Sequence, residues 1–298
     1  IDAYLSGETV ICNIPTRRDD IEGVADIAEE IIRVYGYDHI ISRPLSGLLT
    51  RGTKTKDRLM SDKVKELAVA LGANEIATYS FISQKAYDML GISSENTVKL
   101  LNPLGEDYSI MRTQLYSSML SVMAFNASKG TKDMRLFEIS RLFIPEKQPV
   151  EEQPEERNTL IFGFMGEKED FFTLKSAFET VLGYFGIKAT YEKNDLPFMH
   201  PGRQACVLAG GKKIADMGEI HPDVAAAFGI SGRPLVVQAD LKDMFAAANT
   251  RVIYKALPKY PAIQRDLAVL VEETCEIGPM IDAIRSAGGN IRDKGELF

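Results

Sequence analysis

Apolar residues along this chain recur in two rhythms. Ile27, Ile31, Val34 and Tyr35 keep helical spacing and predict a helix over 24–34 with a buried stripe, stopped by Gly36. Leu59, Val64, Leu67 and Leu71 predict a second helix over 56–71, closed by Gly72. Further helices are predicted over 114–128, 173–185 (Leu174, Phe178, Val181, Leu182, Phe185) and 223–228. The other rhythm predicts strands at 10–14, 76–82, 98–101, 135–143, 159–165, 188–192, 204–209, 212–218 and 233–239. Gly210 and Gly211 separate two of these and mark a hairpin, because both turn residues can take positive φ. Strands joined by hairpins with few βαβ repeats imply an α+β domain around a largely antiparallel sheet. From Tyr254 onward, RDLAVLVEE predicts a strand, IGPMIDAIRSAGG a helix and IRDKGELF the start of another strand, which is half of a split βαβ unit.

Composition narrows the class. The chain has 298 residues, enough for two or three domains, and a net charge of −7, so it lacks the basic field of a general nucleic-acid binder. Within residues 1–50, four Arg and no Lys face nine Asp plus Glu, a local net of −5. The predicted 24–34 helix is acidic, which argues against a stand-alone nucleic-acid-binding module, since that would need a basic recognition helix. Cys12, Cys206 and Cys275 are far apart with no CxxC pair, the usage of a reducing cytosol, and a cytoplasmic location is expected. No run of 18 apolar residues supplies a membrane span, and the first residues have no signal-peptide pattern. The segment EKQPVEEQPEERN (146–158) is polar, acidic and proline-marked, and reads as a solvated loop. Both ends start or stop mid-pattern, so the chain is expected to be truncated at each.

The densest chemistry lies in IPTRRDDIEGVADIAEEIIRVYGYDHI, residues 14–40. Asp26, Glu29 and Glu30 stand at i, i+3 and i+4 and share a helix face, with Asp20 a few residues before. Two like charges about 5 Å apart at an effective dielectric near 20 repel by roughly 3 kcal/mol, which calls for a compensating cation. Magnesium prefers such oxygen ligands. From spacing alone, a solvated acidic face at a helix N-terminus, with Glu29 paired to Arg33, is the better reading.

The same string resembles the signature of phenylalanyl-tRNA synthetase beta chains: a proline, an arginine-rich turn ending in Asp, an acidic helix with a Glu-Glu pair and an R-x-Y-G-Y ending. LLNPLGEDYSIMRTQLYSSML, MRLFEISRLF, FMHPGRQACV with MGEIHPDV, and KYPAIQRDLAVLV resemble further blocks of that family, in family order. The resemblance implies an α+β architecture in three parts. Residues 1–45 would end a winged-helix-like module with an acidic metal-binding helix. Residues 46–250 would form a non-catalytic class II synthetase-like core on an antiparallel sheet. Residues 251–298 would begin a truncated ferredoxin-like, anticodon-binding domain. It further implies magnesium, shared with an alpha chain, at Asp20, Asp26, Glu29 and Glu30. The implied role is the beta subunit of phenylalanine–tRNA ligase, pairing with the catalytic alpha chain and helping to position tRNA for phenylalanine, with ATP handled only by the holoenzyme.

No catalytic residue is assigned. Holding a nucleotide's phosphates takes converging cations, and adenylate chemistry rests mainly on charge stabilisation. Arg112 and Arg135 are candidates for one such position, yet no glycine-rich strand-to-helix segment with a further arginine is present, and there is no P-loop. The alternative, an autonomous ATP-binding synthetase-like enzyme, would need both cations. His200 and His221 each precede proline and read as turn residues more readily than as a metal or acid–base pair, and Arg203 reads as a turn donor holding a strand. Ser117, Ser118 and Ser140 lack a G-x-S-x-G context.

Overall fold

The computed structural model describes residues 1–254, 256, 261, 263, 265–272 and 275–289. It divides into two compact units, Ile1–Lys54 and Thr55–Phe298. Among the described residues no helix is long and apolar enough to cross a membrane.

The first unit holds an antiparallel hairpin, β1 (Asp2–Ser6) and β2 (Thr9–Asn13), followed by helix α1 (Val24–Tyr35). Gly36 ends α1 at φ 114°, and its N–H returns to the Ile32 carbonyl, as the stop signal predicts. The buried stripe does not follow. Ile31, Val34 and Tyr35 are 62%, 80% and 65% exposed, Ile27 is half-buried, and no residue of this unit is buried. A two-stranded ribbon and one helix provide no second layer to close over that stripe.

The second unit is built on a seven-stranded sheet. In chain order its elements begin with α2 (Lys56–Ala70), β3 (Asn74–Glu75), β4 (Phe81–Ile82), α3 (Lys85–Leu90), β5 (Ile110–Met111) and α4 (Tyr116–Ser128). They continue with β6 (Met134–Ile144), β7 (Glu155–Met165), α5 (Phe171–Tyr184), β8 (Ala189–Lys193), β9 (Met199–Ala209) and β10 (Lys212–Ile220). The last are α6 (Pro222–Ala227), β11 (Leu235–Asp240), α7 (Leu241–Ala246) and α8 (Ile277–Gly288). The sheet runs β3-β6-β7-β11-β10-β9-β8, antiparallel at every pair except β3–β6. The expected α+β class and mainly antiparallel sheet are therefore present. Gly210 and Gly211, at φ 58° and 81°, make the predicted turn between β9 and β10.

Helices cover both faces. On one, Val64 and Ala68 of α2, Phe178 and Val181 of α5, and Met244 of α7 pack against Phe137, Phe162 and Val237. On the other, Met119, Leu120 and Met123 of α4 pack with Leu136, Ile161 and Val236. Leu59, expected inside, is exposed, and Met60 takes the inward place one residue on.

Three strand expectations are corrected. Residues 76–82 form only the short β4 at their end. Residues 98–101 contribute a single bridge, Lys99 to Ile110. Residues 265–272 form no strand, because no described segment offers them a ladder of hydrogen bonds. The strand expected at 291–298 lies outside the described residues.

The close seat of α4 depends on Gly163 in β7. A Cβ there would lie 2.5 Å from the Met119 sulfur and 2.6 Å from its Cγ, and Met119 is fully buried. Gly163→Ala is expected to cost about 1–3 kcal/mol through overpacking, read as a lowered denaturation midpoint, whereas the same change at exposed Gly105 should leave the midpoint within error.

Candidate functional site

The acidic region of the first unit is organised by an arginine. Pro15 opens a turn in which the Arg18 N–H donates to the Pro15 carbonyl at 2.9 Å, and this places Arg18 before α1. Its guanidinium donates from Nε to Asp20 Oδ1 at 2.9 Å and from Nη2 to Asp20 Oδ2 at 2.8 Å. The same Nη2 donates to Glu30 Oε1 at 2.7 Å, while Arg33 Nη2 donates to the other Glu30 oxygen at 2.7 Å. Arg33 thus pairs with Glu30 and not with Glu29, because i,i+3 geometry brings it over that side chain.

Asp26 has a separate task. Its Oδ2 accepts the backbone N–H groups of Gly23, the N-cap residue of α1, and of Glu22 before it, at 2.7 and 2.8 Å. Glu29 is exposed. These carboxylates are hard oxygen donors of the kind magnesium takes, but their arrangement does not gather them around one point. Among the described residues no group of three or more His, Cys, Asp or Glu is placed to hold a metal ion.

The ion pairs set the titration. Hydrogen bonds from Arg18 and then Arg33 hold the Glu30 carboxyl down, from its ordinary 4.5 to about 2, and the Arg18 hydrogen bond likewise lowers Asp20. A lowered folded-state pKa contributes stability above the ordinary carboxylate range and loses it as pH falls through the folded value. For Glu30 that window runs from 4.5 down to about 2.

In the second unit the two arginines singled out for nucleotide phosphates are both engaged internally. Arg112 is 0% exposed. It donates from Nη1 to Thr78 Oγ1 at 2.6 Å, from Nε to the Arg141 carbonyl at 3.2 Å, and from Nη2 to Glu138 Oε1 at 3.4 Å and to Ser140 Oγ. Glu138, also buried, accepts Thr78 N–H at 3.1 Å and Thr78 O–H at 2.7 Å. Burial pulls the Arg112 pKa down, against the opposing pull of Glu138. Arg135 forks onto Glu169 at 2.8 and 3.2 Å, donates to the Leu71 carbonyl at 3.0 Å, and lies 5.0 Å over the Phe164 ring. Along β6, Arg135 has the parity of Phe137, whereas Glu138, which anchors Arg112, has that of Leu136 on the opposite face. The two guanidinium groups therefore do not converge on one ligand.

The remaining candidates do not sit in turns as expected: His200 and Arg203 lie in β9, and His221 caps the N-terminus of α6. His200 Nδ1 accepts from Gly202 N–H at 3.1 Å, and His221 Nδ1 from Asp223 N–H at 3.2 Å. Arg203 Nη1 donates to both oxygens of buried Glu219 at 2.9 and 3.0 Å, fastening β9 to β10. Sequence reasoning passed over Glu138 and Glu219. The available signal was an acid inside an apolar strand, as in MRLFEIS, where a buried carboxylate requires a partner.

Residues 3–37, the hairpin and α1, match the family described as tRNA synthetase B5 domain, so the acidic unit is of a kind found in tRNA synthetases. Residues 40–241 match the family described as phenylalanyl tRNA synthetase beta chain CLM domain. The chain belongs to the phenylalanyl-tRNA synthetase beta chain family. The phenylalanine–tRNA ligase beta subunit of Clostridium tetani is 38% identical over 300 residues, covering 99% of this chain and 38% of that protein. The corresponding subunits of Clostridium acetobutylicum and Symbiobacterium thermophilum are 34% and 32% identical, over 99% and 96% of this chain and 38% and 34% of theirs. The chain thus spans well under half the length of these relatives.

Two outcomes follow. In a carboxyl NMR titration Glu30 should show a midpoint of about 2, moving toward 4.5 in Arg18→Gln; an unmoved midpoint would contradict the pairing. Arg112→Ala, which strands Glu138 without its cation, should cost about 3–5 kcal/mol in chemical denaturation, and adding Glu138→Leu should cost less than the two single changes together.

Proposed function

We propose that the chain is a non-catalytic portion of a phenylalanine–tRNA ligase beta subunit. Its role is to pair with the catalytic alpha chain, shape the assembled heterotetramer and help position tRNA for phenylalanine in the cytoplasm. The observation that carries this reading is the internal commitment of Arg112 and Arg135: a core related to a synthetase subunit leaves neither cation for a nucleotide's phosphates. In this reading residues 46–250 are the class II synthetase-like core, residues 1–45 end a winged-helix-like module, and residues 251–298 begin a ferredoxin-like anticodon-binding domain.

ATP, phenylalanine and acyl transfer belong to the alpha chain. Asp20, Asp26, Glu29 and Glu30 remain the candidate ligands of a magnesium ion shared with that chain, and no step of the proposed role passes through the ion. A core without aligned cations contributes by shape and docking, because phosphate charge in a transition state is stabilised only by groups already aimed at it.

The deciding experiment is co-purification with a cognate alpha chain, followed by charging of phenylalanine tRNA by the pair. A stable complex is expected, and failure to form one would remove the partner role. Calorimetry of the chain alone with ATP and with phenylalanine should show no micromolar binding; such binding would favour an autonomous enzyme.

A further inference from the structure

The loop leading into β5 turns apolar side chains outward on a fixed frame. At its base the Leu100 N–H donates to the Ser109 carbonyl at 3.0 Å, and the Met111 N–H to the Val98 carbonyl at 2.8 Å. Near its tip the Tyr108 N–H donates to the Gly105 carbonyl at 3.1 Å, and the Ser109 hydroxyl to the Glu106 carbonyl at 3.0 Å. Pro103 restricts the backbone between these points. On this frame Leu101 and Leu104 are each 102% exposed, so the fold covers no part of either side chain. Tyr108, also exposed, meets the exposed Tyr79 ring edge-on, with centroids 5.8 Å apart. Leu45, Leu48 and Leu49 are as open to solvent, but they lie in a stretch with no strand, helix or hydrogen-bonded turn.

Apolar side chains gathered in water mark an interaction surface, because covering them is favourable. A loop already held by its own hydrogen bonds loses little further freedom when it docks. Charge then selects the occupant. Residues 101–108 contain Glu106 and Asp107 and no Lys or Arg. Neither carboxylate is engaged by another described residue. A second copy docked about a two-fold axis would set these acids against their own counterparts. RNA phosphates would meet the same repulsion. A protein surface with an apolar pocket and a basic rim answers both the leucines and the acids.

We propose that loop 101–108 is the anchor by which the chain docks on its protein partner, with Leu101 and Leu104 entering an apolar pocket rimmed by Lys or Arg. The assignment rests on that partner being the alpha chain proposed above, and it names the surface of this chain that the pairing uses. Glu106 and Asp107 steer the approach, and the leucines slow the departure.

The test measures binding of the whole chain to a cognate alpha chain by calorimetry and stopped-flow mixing. Leu101→Glu combined with Leu104→Glu should weaken binding about a hundredfold, mainly through faster dissociation, since two buried leucines are replaced by charges. Leu101→Ser with Leu104→Ser repeats the loss without added charge and should weaken binding at least about tenfold. Glu106→Lys with Asp107→Lys should slow association about tenfold at low salt, a difference that shrinks as salt rises. All four positions are exposed, so circular dichroism and the denaturation midpoint should not move. Unchanged affinity in both leucine variants would overturn the proposal and leave the subunit reading standing. Failure of the unmutated chain to bind the alpha chain would remove both together. A dimer of the unmutated chain that the leucine variants dissolve, with alpha binding intact, would assign the loop to a second copy. Loss of tRNA binding with alpha binding intact would assign it to RNA, and either result overturns the proposal.

Discussion

Burial of one guanidinium against one carboxylate governs how the second unit can be used. Arg112 and Glu138 are both removed from water, and Thr78, Ser140 and the Arg141 carbonyl complete their hydrogen bonds. An isolated charge in that position would cost several kcal/mol, so the pair is tolerated only because every strong donor and acceptor has a partner. The network joins the loop before β4 and the residue after β5 to the middle of β6, beside the backbone bonds from Arg112 N–H to Ser80 and from Phe143 N–H to Arg112. It also removes from any ligand the cation best placed by sequence to meet one.

The same logic runs across the sheet. Arg135 is neutralised by Glu169 and stacked on Phe164, and Arg203 is clamped on Glu219. Each of these arginines fastens one structural element to another. Apolar helices then close both faces, with α4 seated directly over Gly163. The first unit follows a different regime: its ion pairs lie at the surface and are individually weak.

The legibility of these features from sequence varied with the range of the interaction behind them. The Gly210–Gly211 turn, the stop at Gly36 and the apolar stripe of α5 were readable because each depends on residues within one or two turns of chain. The strand expected at 98–101 and the buried stripe of α1 failed for a common reason. Alternation and helical spacing describe which residues could be covered, but covering needs a partner element that local pattern does not supply. The candidate site shows the same division. The acids Asp20, Asp26, Glu29 and Glu30 were visible as a cluster, while their actual engagements, with Arg18, with the Glu22 and Gly23 amides, with solvent and with Arg33, were not.

By itself the sequence determined the family, the α+β class, the helical and hairpin segments, and the absence of a second phosphate-directed arginine motif, since all of these reside in residue order and spacing. Only the tertiary structure decided that Arg112 is buried, that Arg135 and Glu138 leave β6 on opposite faces, and that Arg18 bridges two acids ten positions apart. Those outcomes depend on which distant groups share a small volume of low-dielectric or partly desolvated space. A charged side chain carries no mark in the sequence of the partner that will neutralise it, and the fold makes that choice.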